Sequence, residues 1–344
     1  MTVLSSILDR NPAGYDPEVA YLLSLVATWS YSEARTLEDV LAREKIAGSR
    51  PAPIRSFSVE NPALPVDANG FLISYPDRRF HVLCFRGTEP TNVVDLLTDA
   101  LVEPHVWREG EEAWVHRGFF LSMDVLWPAI RHELAELEGT LYIAGHSLGG
   151  AIAVLTGRRF LDERGDIPGL ALQGVYTYGQ PMVGDQAFCD ACADLPLHRH
   201  VYDRDLVPRL PPTGLGTGGY RHFGRLLAPG KGARERVWQA TGQDSAPEAC
   251  HACEILPAFL TLVTARTNDS SVPLALTSQG LRAVGFFLSL ALCGTRDMIE
   301  TVAGLPRLIA AGRLSLDDHI PTHYVDVSKA SVPGKQSELA VQGA

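Results

Sequence analysis

The sequence predicts an α/β fold, a mostly parallel sheet covered by helices on both faces, and three observations carry that prediction. Between Phe71 and Tyr202, short apolar segments of strand length alternate with segments of helical length, the order that builds a buried parallel sheet. One strand-to-helix junction is the glycine-flanked run Gly145-His146-Ser147-Leu148-Gly149. The composition, 46% hydrophobic and 20% charged over 344 residues, supplies a large core and argues against disorder.

Asp16-Pro17-Glu18, followed by Val19, Leu22, Leu23 and Val26, predicts a helix capped by Asp16 with proline in its first turn. Glu44 to Pro65 is rich in Pro and Ser and reads as a connection. Phe71–Tyr75 and His81–Phe85, separated by Pro76-Asp77, predict a hairpin feeding a buried strand. A helix is expected over Gly118–Leu137, a strand over Leu141–Ala144 and a helix over Ser147–Leu161. Leu170–Tyr178, Asp185–Asp194 and His198–Tyr202 then repeat strand, helix, strand.

From Arg225 to Leu316 the texture changes to a slightly basic stretch with helical apolar spacing, as at Leu281, Val284, Phe287 and Leu288. We read residues 225–316 as a helical insertion or cap within a single domain spanning 1–344, and not as a continuation of the sheet.

The net charge of −10 argues against nucleic-acid binding, which needs a basic face, and gives no general attraction to anionic membranes. No stretch offers the roughly 18 strongly apolar residues of a spanning helix. The opening residues lack a basic start followed by an apolar run, so the expected location is cytoplasmic. Six cysteines are too few for a disulfide framework. Cys189/Cys192 and Cys250/Cys253 have the pair spacing of a four-thiolate zinc site, but the pairs lie far apart, and no metal site is assigned.

The Gly145–Gly149 run follows an apolar strand and precedes a helix, the context of a nucleophile elbow. A serine at so tight a turn leaves no room for side chains two residues before or after it, which Gly145 and Gly149 remove. The helix that follows points amides and dipole at the nucleophile, favouring an oxyanion there.

Phe85-Arg86-Gly87-Thr88, Val115-His116-Arg117-Gly118-Phe119, the elbow with Gly150-Ala151, Tyr178-Gly179-Gln180-Pro181-Met182-Val183-Gly184 and Asp205-Leu206-Val207-Pro208-Arg209-Leu210-Pro211-Pro212 occur in this order. Together they resemble the class 3 (fungal-type) lipase family of the α/β-hydrolase fold, over about residues 71–224 and a short C-terminal piece.

The resemblance implies Ser147 as nucleophile, Asp205 as acid and His319, in Asp317-Asp318-His319, as base. Asp203 and His323 are the alternatives for acid and base. It assigns the oxyanion hole to the amides of Leu148 and Thr88, with the Thr88 hydroxyl as a further donor. His146 is expected to support the site from behind, His222 to be a structural hydrogen-bonding residue, and Arg86 to pair with Asp95 or Asp99.

In this family Glu89–Trp114, with Val93, Leu96, Leu97, Trp107 and Trp114, carries the lid; this stretch or the insertion would present an apolar face to aggregated lipid. The implied activity is hydrolysis of lipid carboxylic esters without a cofactor, triacylglycerol first, with long-chain preference and interfacial activation. Phospholipase A1 and broad carboxylesterase activity are the neighbouring readings, and a catalytically silent lipase-like interaction protein is the reading from another class.

Overall fold

Strands that are apolar at every position need cover on both faces, and the alternation of side chains decides which face each residue serves. In β3 (Phe80–Phe85), Leu83 and Phe85 enter one hydrophobic cluster while Val82 and Cys84 enter the other. In β6 (Gly139–His146), Leu141 and Ile143 divide from Tyr142 and Ala144 in the same way.

The computed structural model describes residues 6–7, 14–43, 53–61, 66–87, 104–205, 207–210, 219–230, 236–241 and 317–333. Eight strands form one sheet in the order β1-β2-β3-β6-β7-β8-β9-β10. They are β1 (Arg55–Asn61), β2 (Val66–Tyr75), β3, β6, β7 (Leu170–Tyr178), β8 (Leu197–His200), β9 (Arg225–Pro229) and β10 (Trp238–Ala240). Pairing is parallel from β3 through β6, β7 and β8 to β9, and antiparallel at both margins. A separate two-stranded ribbon joins β4 (Pro104–Val106) and β5 (Trp114–His116).

Helices α3 (Arg117–Ala135) and α4 (Leu148–Asp162) bury Met123, Leu126, Trp127, Ile152 and Leu155 on one face. The opposite face is covered by α1 (Pro17–Trp29), α2 (Ala34–Arg43) and α6 (Pro321–Ala330) through residues such as Leu22, Leu23, Leu37, Tyr324 and Val327. A short helix, α5 (Gln186–Ala191), connects β7 to β8. At the start of α1 the Asp16 carboxylate accepts from the Glu18 and Val19 amides at 2.9 and 3.0 Å, the cap expected from the sequence.

The fold differs from the sequence reading in two places. The connection expected over 44–65 contains β1, which pairs antiparallel with β2 over its whole length. At the start of the stretch read as a helical cap, Arg225–Pro229 and Trp238–Ala240 are sheet: β9 lies parallel to β8 and β10 pairs antiparallel with β9. Leu226, Leu227 and Trp238 are buried there. Both errors concern margin strands, which form because a neighbour offers free backbone donors and acceptors, and their own short sequences carry little periodicity. Residues 242–316, with the helical spacing at Leu281–Leu288, lie outside the described residues.

Candidate active site

The C-terminal ends of β6, β7 and β8 converge on one patch, the end of a parallel sheet where ligands bind. Ser147 sits between β6 and α4 with φ 58° and ψ −129°, a left-handed conformation rare for a side-chain-bearing residue. Its N–H donates to the Tyr178 carbonyl at 2.9 Å, so the strained turn is tied to the neighbouring strand. The turn is this tight because nothing larger than hydrogen fits its flanks. A Cβ added at Gly145 would stand 2.2 Å from the Gly149 carbonyl oxygen, and one at Gly149 would stand 2.2 Å from the Phe85 carbonyl oxygen. Leu148 opens α4, so its N–H has no acceptor within the helix and is open to an anion beside Ser147.

Asp205 and His319, 114 residues apart in the chain, meet with His319 Nδ1 2.8 Å from Asp205 Oδ2. A carboxylate accepts, so Nδ1 donates, and in the neutral form of the ring the lone pair lies on Nε2. That nitrogen is buried and has no hydrogen-bond partner among the described residues. The same carboxylate accepts from the Val207 amide at 2.9 Å through Oδ1 and from the Tyr324 hydroxyl through Oδ2. Burial, and next the Asp205 charge, push the Tyr324 hydroxyl well above the usual tyrosine range, so it stays a donor. Ser147, Asp205 and His319 are all at most 5% exposed.

Supporting contacts surround the pair. Asp318 accepts from the Arg204 amide at 3.1 Å and approaches its guanidinium at 3.7 Å, tying the turn of His319 to the turn of Asp205. His146 Nε2 lies 2.9 Å from the His319 carbonyl oxygen and Nδ1 lies 2.9 Å from the Tyr31 hydroxyl. Burial, then the neighbouring His319, hold His146 well below the usual histidine range, so it stays neutral.

Each alternative has other work. Asp203 pairs with Arg236. His323 stacks on Tyr202, ring centroids 4.9 Å apart and nearly parallel. His222 Nε2 lies 2.6 Å from the Pro208 carbonyl oxygen, the structural role expected of it.

Thr88, Asp95 and Asp99 lie outside the described residues, as do Val93, Leu96 and Leu97 of the lid stretch. Trp107 in that stretch does not face outward: it is 3% exposed, and its indole N–H donates to Asp162 at 3.1 Å. Trp114 packs edge-on against Tyr220. Cys189 and Cys192 are buried free thiols, and burial pushes the Cys189 thiol up to about 12; Cys250 and Cys253 lie outside the described residues. Among the described residues no helix is long and apolar enough to cross a membrane.

Tyr31, Tyr324 and Asp318 are the site residues the sequence did not reveal. Each is tied to the site by a partner at least 114 positions away in the chain.

Comparison with known proteins bears on the same region. Residues 82–215 match the family model "Lipase (class 3)". The lipase of Rhizopus niveus is 29% identical over 157 residues, which cover 44% of this chain and 39% of that protein. The Rhizomucor miehei lipase is 28% identical over 196 residues, 54% of this chain and 48% of that protein. The chain thus spans less than half the length of these relatives. Among solved structures, the Rhizomucor miehei lipase propeptide complex superposes with a TM-score of 0.53 at 22% identity, covering 68% of this chain and 75% of that one. A triacylglycerol lipase whose catalytic centre is formed by a serine protease triad superposes with a TM-score of 0.53 at 23% identity, covering 68% and 90%. These likenesses establish the α/β-hydrolase fold.

Proposed function

We propose that this chain, whose residues 82–215 match the class 3 lipase family model, hydrolyses carboxylic esters of lipids through an acyl-enzyme on Ser147. One observation carries the reading: a serine in a left-handed elbow at the N-terminus of α4, at the same sheet end as a buried Asp205–His319 pair whose Nε2 is unengaged among the described residues. Structural ion pairs do not need a strained serine beside them, and a strained serine without a base has no chemistry.

In this reading His319 Nε2 takes the Ser147 proton as Oγ attacks the ester carbonyl carbon. Negative charge gathers on the carbonyl oxygen, where the Leu148 N–H and, from the family resemblance, the Thr88 amide and hydroxyl stabilise it. The tetrahedral intermediate collapses, and His319 hands the proton to the departing alcohol. Water then attacks the acyl-enzyme with His319 again as base, releasing the fatty acid and restoring Ser147. Asp205 holds the imidazole in the Nε2-basic tautomer and stabilises the transient cation. No step calls for a metal or cofactor.

Triacylglycerol is the proposed substrate. The test is hydrolysis of a p-nitrophenyl ester series from acetate to palmitate by wild type and Ser147→Ala, with and without detergent micelles. We expect wild-type turnover that rises with chain length and above the solubility limit, and a loss of roughly 10⁴-fold or more in the variant. Equal or better rates on soluble short esters would move the assignment to a carboxylesterase. A folded wild type silent on every ester would replace catalysis with an interaction role.

A further inference from the structure

We propose that Tyr31 is a positioning residue for this site: its hydroxyl donates to His146 Nδ1 and thereby fixes the His146 tautomer whose Nε2–H holds the backbone of the base His319. The inference rests on the catalytic reading of His319 given above.

The direction of each bond follows from the atoms involved. The His319 carbonyl oxygen, 2.9 Å from His146 Nε2, has no proton, so Nε2 must carry one. A neutral imidazole has only one, so Nδ1 presents a lone pair, and the Tyr31 hydroxyl 2.9 Å away is the donor. His146 is neutral because it is enclosed beside a second histidine. The chain of bonds is therefore Tyr31 O–H to His146 Nδ1, then His146 Nε2–H to the His319 carbonyl.

The placement matters because the His146 and His319 rings lie 4.5 Å apart, tilted by 31°. When His319 becomes an imidazolium, a charged neighbour at that distance would oppose it, and a neutral ring does not. Tyr31, just beyond the C-terminal end of α1, also bears on the other half of the site. A Cβ added at Gly87 would stand 2.4 Å from the Tyr31 hydroxyl oxygen and 3.1 Å from Ser147 Cβ. The hydroxyl thus sits against Gly87, just past the end of β3, while its proton is directed to His146. Without that donor the Nδ1–H tautomer becomes competitive, and its Nε2 lone pair would face the His319 carbonyl oxygen and push the turn away.

Tyr31→Phe keeps the ring, which sits edge-on to His146 with centroids 5.9 Å apart, and removes only the donor. The experiment is ¹⁵N NMR of the histidine side chains in the full chain, with His146 assigned by loss of its signals in His146→Asn. It is paired with kcat and KM on a short p-nitrophenyl ester. We expect wild-type His146 with its proton on Nε2, and in Tyr31→Phe a mixture of tautomers with kcat about tenfold lower and KM within about twofold. A wild-type His146 protonated on Nδ1 overturns the proposal, as does a Tyr31→Phe protein with unchanged tautomer and unchanged kcat. Should Tyr31→Phe not fold, the wild-type nitrogen shifts still decide the assignment. A wild type that hydrolyses no ester yet shows the Nε2–H tautomer sinks the hydrolase reading and leaves the bond directions standing.

Discussion

The two halves of the site are held in place by different means. Ser147 is fixed by backbone: a left-handed turn, a hydrogen bond from its N–H to the Tyr178 carbonyl, and glycines whose replacement would collide with carbonyl oxygens 2.2 Å away. His319 is fixed by side chains. It sits on a single turn of 3₁₀ helix, Asp317–His319, held by Asp205, by His146 at its carbonyl and by Asp318 reaching to Arg204. A backbone-built half fails by steric collision, all at once, whereas a half tied by side chains loses one bond at a time. The contrast predicts graded consequences.

The largest effect belongs to the nucleophile half. Gly149→Ala places a Cβ against the Phe85 carbonyl oxygen and the Arg86 carbonyl carbon, backbone that cannot rotate away. β3 and α4 must separate at the point where the end of β3 meets the elbow. The expected outcome is loss of fluorophosphonate labelling at Ser147 and of ester hydrolysis, with the midpoint of urea unfolding markedly lowered. Labelling at the wild-type rate would show that the turn relaxes, and would remove the distinction between the halves.

The next effect, in the footing of the other half, is set by pH. The chain reaches Asp205 from β8, and β8 buries His198 and His200 against Tyr15 and Tyr176. Burial, then the Arg225 charge, lowers His198 to about 4. Burial, then His198, lowers His200 to about 3. In the unfolded chain both take protons near 6.5, so from there down to about 4 the unfolded state binds more protons and stability falls as pH falls. His198 alone contributes about 3 kcal/mol to that loss. Among the described residues neither of its ring nitrogens has a hydrogen-bond partner, so His198→Phe removes the titration without breaking a described bond. Urea unfolding at about pH 7 and about pH 5 should show a clear drop for wild type and a smaller one for the variant, in which His200 still titrates. Equal slopes would mean that the strand opens to water before its histidines charge.

The same division explains what could be read from the sequence. The elbow is a local pattern, five residues between an apolar strand and a helix, so Ser147 and its glycines were legible from the residues themselves. Asp205 and His319 were legible only through resemblance, because their pairing spans 114 residues and no local rule links them. In the structure Asp205 and His319 pair with each other, while Asp203 pairs with Arg236 and His323 stacks on Tyr202. Tyr31, Tyr324 and Asp318 left no signal: a tyrosine or an aspartate reads alike whether its polar atom meets water or a buried partner. Strands β1, β9 and β10 were missed for a related reason, since a margin strand owes its existence to its neighbour.

The smallest of these effects tests whether side-chain ties act singly. Tyr324 donates to the oxygen of Asp205 that also accepts from His319, and its ring packs among Tyr178, Trp238 and His146. Tyr324→Phe keeps that packing and removes one donor to a buried carboxylate, together with the 3.3 Å bond it accepts from the Tyr202 amide. A charge-assisted bond of this kind contributes about 1.5–3 kcal/mol. The remaining donors, His319 and the Val207 amide, keep Asp205 bound, so only part of that loss reaches the transition state. The expected outcome is a fall in kcat of about tenfold with KM within about twofold, measured on a short ester. A fall as deep as that of Ser147→Ala would mean that Asp205 swings away when one donor is lost, making the side-chain half as brittle as the backbone half. No change would mean that the Val207 amide and His319 alone define the carboxylate's position.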